Sequence, residues 1–183
     1  CDDGSTDGTA NILKNYADNK IIKIFCNAKN LGVMKNVEQG LLKAKGKFIG
    51  TCDQDDVWLN NKLELLLKNI DNNIMIYSNS RLVDEELKVI EDKAFRGKNI
   101  YMKDYKQLWF KNFIPGHTML FRRALLRFAL PFPKNYIHPD WWLAHSAASV
   151  GNIKFFDESL VLYRQHSSQI TKNFQRSIKH RRT

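Results

Sequence analysis

Asp53-Gln54-Asp55-Asp56 puts three carboxylates into four residues. Charges of one sign held that close repel, and burying them without a compensating cation is costly. In extended backbone Asp53 and Asp55 project to the same side. Hard carboxylate oxygens suit Mg²⁺ or Mn²⁺, which keep open positions for phosphate oxygens. A solvated acidic turn has the same composition, but the apolar run before Asp53 and Val57-Trp58 after it favour a metal loop. Asp2-Asp3-Gly4-Ser5 offers a second pair of carboxylates, on a turn that Gly4 makes possible. These suit base N–H groups or ribose hydroxyls, or equally an Asx-turn followed by helix capping from Asp7. In His138-Pro139-Asp140-Trp141-Trp142, Pro139 disfavours helix for the residue before it, so Asp140 fits an N-cap or first-turn position. An acid against indole surface is also partly desolvated and becomes a stronger base, while indole faces stack on sugar C–H surfaces. The segment alone decides neither reading. His166, ending Tyr163-Arg164-Gln165-His166, is structural or a ligand with similar weight once the acidic loop is counted.

The elements that must position these residues alternate in type. Thr6 or Asp7 can cap a helix with Ile12, Leu13 and Tyr16 on its buried face, and Ile21–Cys26 is β-prone. A helix is expected from Val33 to Lys45, a strand over Phe48–Cys52, a helix over Lys62–Ile70 and a strand over Ile74–Tyr77. Strands separated by helices imply crossovers and a mostly parallel sheet. Such sheets bind ligands at the carboxyl ends of their strands, which places both acidic clusters on one edge. Later the pattern is less regular. Glu85–Lys93 reads as a hairpin, Tyr101–Phe113 contains a helix, His117–Phe121 is a strand and Arg123–Phe128 a helix. A helix starts near Asp140, and Ile153–Phe156 and Leu160–Tyr163 are two final strands.

The 183 residues, 43% of them hydrophobic, suffice for one domain with a sizeable core. No apolar run approaches the ~20 residues of a membrane-spanning helix, and no secretory signal is present. The chain opens on Cys1 where a strand is ending, so an earlier strand is expected to precede it. Cys1, Cys26 and Cys52 have no metal-ligand spacing and each ends an apolar run. They read as small buried hydrophobes in a reducing compartment. The net charge of +10 calls for an anionic partner. Lys172, Arg176, Lys179, Arg181 and Arg182 form either a solvated end or a contact for an anionic membrane. No base-reading motif accompanies the charge, so specific nucleic-acid binding is not expected.

Taken together, the motifs resemble family 2 glycosyltransferases of the GT-A fold. The resemblance rests on Cys1–Thr9, on Asn30-Leu31-Gly32-Val33-Met34-Lys35-Asn36, on Asp53–Trp58, on Gly116-His117-Thr118-Met119, on Asp140-Trp141-Trp142 and on Tyr163–His166. The forms Asp-Gln-Asp-Asp-Val-Trp and Asp-Trp-Trp are similar to a bacterial subgroup labelled rhamnosyltransferase-like. The resemblance implies an α/β, Rossmann-like domain over residues 1–183. Its nucleotide-sugar half covers about 1–80, and a smaller, mixed acceptor half covers about 81–183. Asp2 and Asp3 would contact the nucleobase or ribose, and Lys35 would lie near the nucleotide where the family often has Arg. Asp53 would reach the ribose or metal. Asp55 would hold Mn²⁺ or Mg²⁺, with His166 as a further ligand. Asp140 would be the catalytic base, and Trp141, Trp142 and His117 would meet the sugar or acceptor.

The implied reaction is inverting transfer from a UDP-, dTDP- or GDP-sugar to a glycan or lipid-linked saccharide, in bacterial surface polysaccharide synthesis. It would run in the cytoplasm or at the inner face of the cytoplasmic membrane. The rivals are a phosphoryl-transfer domain, which would want a hydroxyl residue after the acidic loop that Asp53–Val57 lacks, and a glycosyltransferase-like domain that binds without catalysis.

Overall fold

The computed structural model describes residues 1–17, 21–95, 108, 111–134, 136 and 138–167. The basic residues from Lys172 onward and most of the helix expected over Tyr101–Phe113 lie outside them. In chain order the elements are α1 (Thr9–Lys14), α2 (Val33–Lys43), β1 (Phe48–Gly50), β2 (Val57–Trp58), α3 (Lys62–Asn69), β3 (Met75–Val83) and β4 (Val89–Glu91). A 3₁₀ turn (Gly116–Thr118) leads into β5 (Met119–Arg122), and a second (Arg123–Leu125) into α4 (Leu126–Ala129). The last two are α5 (Pro139–Val150) and β6 (Ile153–Arg164).

The sheet runs β1-β5-β3-β6-β2, with β4 beside β3. β3 is buried at eight of its nine positions, and its neighbours alternate between two apolar clusters. Met75 and Tyr77 face one cluster with Leu41 of α2 and Leu143, Ala144 and Ala147 of α5. Ile76 faces the other, with Leu66 and Ile70 from α3 and its end. Period-two alternation thus gives helices on both faces of one sheet. On α2, Met34, Val37 and Leu41 fall on the helical stripe that packs against the sheet. Leu66 is fully buried, so Leu66→Ala would cost about 2–5 kcal/mol.

The α/β class stands, but the sheet is mixed rather than mostly parallel. Among the named strands only β3 and β6 pair in parallel; β1–β5, β3–β5, β3–β4 and β2–β6 are antiparallel. The strands joined by crossovers do share a direction. β5 lies antiparallel between β1 and β3, so those two run the same way, as does β6. Periodicity identifies strands; it does not reveal that a strand from the later half is inserted between two early ones. Two further expectations are corrected. Ile153–Phe156 and Leu160–Tyr163 form one strand, because register shifts opposite Ser78–Asn79 let β6 continue past its charged middle. Of Ile21–Cys26, only a parallel bridge between Asp2 and Cys26 is present.

The three cysteines are exposed and free, contrary to expectation. Cys52 lies past the end of β1, where the chain has left the sheet; Cys26 pairs with Asp2 in an isolated bridge rather than a ladder, and Cys1 precedes that bridge. The face of α1 expected to be buried is likewise exposed, at Ile12 and at Tyr16 just past its end. Among the described residues no helix is long and apolar enough to cross a membrane.

Candidate active site

β1 ends at Gly50, and the chain then leaves the sheet through Thr51–Asp56 before returning as β2. The carboxyl end of β6 clasps this acidic loop. The Arg164 backbone N–H donates to Asp56 Oδ1 at 3.0 Å, and its Nε donates to the Asp55 carbonyl at 2.9 Å. The Arg164 guanidinium also donates to the carbonyl of Glu85. Two residues on, His166 Nε2 lies 3.0 Å from Asp55 Oδ2. The ends of β1 and β6 therefore share an edge of the sheet.

The turn Gly116–Thr118 closes the loop from the other side. His117 is 3% exposed in its side chain, with Nδ1 at 3.1 Å from Asp56 Oδ2 and 3.5 Å from Asp53 Oδ2. Its ring lies 4.6 Å from that of Tyr163. Thr51 Oγ1 donates to the Gly116 carbonyl at 2.6 Å, which joins the end of β1 to this turn. From below, the buried Lys62 at the start of α3 donates through Nζ to the His117 carbonyl at 2.5 Å. Its ammonium sits 3.5 Å over the Trp58 ring. Burial pushes the Asp56 carboxyl up to about 6 and the Lys62 ammonium down to about 7, since both lose water that would solvate their charge.

These residues fit a divalent cation. Ligand atoms of Asp53, Asp56 and His117 lie within 4.8 Å of one another. Asp56 Oδ2 is buried without a hydrogen-bond partner, as is His117 Nε2, although buried polar atoms are ordinarily satisfied. Carboxylate and imidazole donors suit Mn²⁺ and also accept Mg²⁺. The sequence points to Asp53, Asp55 and His166 as the metal set. The geometry pairs Asp55 with His166 and groups Asp53 with Asp56 and His117 instead.

Asp140 occupies the first turn of α5, behind Pro139. Its Oδ1 accepts the Trp141 backbone N–H and its Oδ2 accepts Asn112 Nδ2, both at 2.8 Å. Desolvation is the largest influence on this carboxyl and raises it above the ordinary range; the nearby charge of Asp53 adds in the same direction. A Cβ at Gly116 would stand 3.5 Å from Asp140 Cβ and 3.7 Å from Thr51 Oγ1. One turn therefore carries His117 into the acidic loop and Gly116 against Asp140.

The other predicted residues have defined surroundings. Asp2 is held within its own turn: Ser5, three residues on, donates to it through its backbone N–H at 3.2 Å and its hydroxyl at 2.5 Å. Asp3 accepts the backbone N–H of Leu31 and of Gly32 and the side-chain amide of Asn27, each at 2.9 Å. These donors, led by Leu31, hold its carboxyl below the usual range. Asp3 thereby secures the loop before α2. Lys35 pairs with Glu38 at 2.5 Å, and Glu38 also accepts the Phe132 N–H. The indole N–H of Trp141 donates to the Leu108 carbonyl, and that of Trp142 to the Ala129 carbonyl, with Trp142 packed against the main core. Sequence reasoning missed Lys62, which resembles any solvated helix-start lysine, and Asn112, whose partner lies 28 residues away.

Comparison with known proteins agrees with this geometry. Residues 1–128 match the model of glycosyl transferase family 2. The chain is 27% identical over 184 residues to the Escherichia coli protein WfgD, a UDP-Glc:alpha-D-GlcNAc-diphosphoundecaprenol beta-1,3-glucosyltransferase, covering 98% of this chain and 69% of that protein. Among solved structures, Staphylococcus aureus TarS in complex with UDP-GlcNAc superposes with a TM-score of 0.67 at 21% identity, over 92% of this chain and 49% of that one. The mannosyltransferase PcManGT of Pyrobaculum calidifontis, in complex with GDP-Man and Mn²⁺, gives 0.69 at 17% identity, over 99% and 50%. At those identities the structures establish the GT-A fold. The chain spans about half the length of curated relatives such as an uncharacterised Mycobacterium bovis protein, of which it covers 50%. With a family model matched across more than half its length, this chain belongs to glycosyl transferase family 2.

Proposed function

We propose that the chain carries the catalytic site of an inverting, metal-dependent glycosyltransferase, moving a sugar from a nucleotide-sugar to a hydroxyl of a glycan or lipid-linked saccharide. The observation that carries the proposal is the shared turn, with His117 against Asp53 and Asp56 and Gly116 against Asp140. It joins a cation-type cluster and a desolvated carboxylate through adjacent residues, as a reaction at a sugar–diphosphate bond requires.

Asp53, Asp56 and His117 would hold Mn²⁺ or Mg²⁺, with Asp55 and His166 beside them; such an ion neutralises charge growing on a departing diphosphate. Asp140, ionised and short of water, takes the proton of the acceptor hydroxyl as that oxygen bonds to the anomeric carbon. The bond to the diphosphate oxygen breaks on the opposite face, and configuration inverts. A positioned base contributes about 10²–10⁴-fold. We assign the nucleotide to the Asp2–Asp3 turn and the Lys35 end of α2, with Asp3 acting by holding the Leu31–Gly32 backbone. Trp141 flanks the acceptor, while Trp142 supports α5 from the core. The diphosphoundecaprenol-linked acceptor of WfgD supports a lipid-linked acceptor for this chain, and we place the reaction in surface polysaccharide synthesis on the cytoplasmic side.

The test is release of nucleoside diphosphate from UDP-, dTDP- and GDP-sugars, with Mn²⁺, Mg²⁺ or EDTA, using the protein and its Asp140→Asn variant. Release from one donor, dependent on metal and lost in the variant, is the expected result. Failure to release or bind any donor would overturn the proposal.

A further inference from the structure

The end of the sheet opposite the acidic loop bears a different chemistry. No Asp or Glu occurs between Glu38 and Asp53, or between Asp104 and Asp140. The fold brings these two acid-free stretches together: Phe48 pairs with Arg122 across β1 and β5, and the Arg123 N–H donates to the Lys47 carbonyl at 2.9 Å. Between them lies a groove of about 630 Å³, lined by Leu41, Leu42, Leu126 and Leu130 together with Lys47, Arg122, Arg123 and Arg127. The Arg122 guanidinium is engaged by the carbonyls of Asp71 and Asn73. Lys47, Arg123 and Arg127 are exposed, and Lys43 ends α2 nearby. Leu42 in the lining and Phe128 on α4 are each 60% exposed.

We infer that this groove and its basic rim form a docking surface for an anionic lipid bilayer. Two features together select that partner. Cations clustered on stretches that carry no acid of their own attract a negative surface at roughly 1 kcal/mol per residue. The acid at the edge, Asp71, is paired with Lys154. Exposed leucine and phenylalanine among those cations gain nothing from a soluble polyanion, but they gain from entering the headgroup–acyl boundary. The surface lies at the amino end of β1 and the acidic loop beyond its carboxyl end. At ~3.3 Å per fully extended residue, the stretch from Lys47 to Asp53 separates the two by at most about 20 Å. Docking therefore holds the site off the bilayer, at a reach that a saccharide projecting from a lipid carrier can bridge. The docking itself rests on surface chemistry alone; only its bearing on a lipid-linked acceptor rests on the glycosyl-transfer reading.

The test is co-sedimentation with vesicles of phosphatidylcholine alone or mixed with phosphatidylglycerol, at low and high salt. The full chain is compared with Arg123→Glu/Arg127→Glu, with Leu42→Ser, and with Arg181→Glu/Arg182→Glu as a control for the distal basic residues. Expected are salt-sensitive binding to the anionic vesicles, partition reduced tenfold or more by the Arg123/Arg127 pair, and a smaller loss with Leu42→Ser. For the Leu42 and Arg123/Arg127 variants, thermal melting and donor binding should match the unmodified protein, since these three residues make no contact with the candidate site. Three results would overturn the inference: no binding to anionic vesicles, loss confined to the Arg181/Arg182 pair, or soluble polyphosphate binding as tightly with Leu42→Ser silent. The last would assign the groove to a free polyanion.

Discussion

Asn112 donates its side-chain amide to Asp140 Oδ2 at 2.8 Å, while its own carbonyl oxygen accepts the Ile114 N–H at 3.1 Å. The first bond favours the ionised carboxylate and the second fixes the amide that makes it, so Asn112 is placed to orient the base and restrain its pKa. Asn112→Asp keeps the acceptor for Ile114 but turns a carboxylate oxygen toward Asp140. Both the lost bond and the added charge push the Asp140 carboxyl higher. A general base works when ionised, so activity falls as pH drops through that raised value. The acidic limb of the kcat profile should move to higher pH, and kcat near pH 7 should fall by roughly tenfold or more. An unchanged limb would remove Asn112 from this role.

Asp140→Asn should lower kcat by about 10²–10⁴-fold and leave donor binding by calorimetry almost intact. Its stability should not fall at neutral pH. Asp140 has a folded pKa raised by burial, so the ionised form opposes folding: its contribution is most favourable below the unfolded value and is lost as pH rises through the folded one. Asparagine removes that charge and keeps an acceptor for the Trp141 N–H, and this gain offsets the lost Asn112 bond. A variant that melts well below the unmodified protein would mean that the lost turnover reflects unfolding.

The fold and site were legible where local pattern determines structure. The helix starting at Val33, the strand end before Asp53 and the Pro139 start of α5 were all read correctly, because each depends on residues within a few positions. What escaped depends on distant partners. β5 enters between β1 and β3 from a segment whose direction periodicity does not encode. His117 reads as a strand residue facing the acceptor, yet it sits in a 3₁₀ turn between Asp53 and Asp56, held from beneath by Lys62. A lysine four residues after Trp58 gives no sign that its ammonium will be buried.

Gly4→Ala should weaken the donor side. Gly4 has φ +79, and an added Cβ would stand 3.2 Å from the Asn30 nitrogen and the Lys29 carbonyl carbon, which are backbone atoms with little freedom to retreat. Left-handed backbone costs an L-residue about 1–2 kcal/mol before that contact is counted. The strain falls on the loop that Asp3 secures through Leu31 and Gly32. Chemical denaturation should show a loss of at least this size, with donor affinity reduced more than the kcat of the bound complex. Equal donor affinity would separate this loop from nucleotide binding.

Metal response separates the two ligand groups at the acidic loop. In the absence of catalysis, a cation that binds only the folded protein adds RT ln(1 + [L]/Kd), about 2.7 kcal/mol at a hundredfold excess over Kd. Mn²⁺ should therefore raise the melting temperature, and EDTA should reverse the rise. Asp56 has a buried oxygen with no hydrogen-bond partner, facing His117, whereas Asp55 is paired with His166. Asp56→Asn should abolish the Mn²⁺ shift, because the orphaned oxygen is the donor a cation would satisfy. Asp55→Ala should weaken the shift and leave His166 without its carboxylate. If Asp55→Ala abolishes the response and Asp56→Asn preserves it, the metal belongs with Asp55 and His166, and the Asp53–Asp56–His117 group serves to shape the loop.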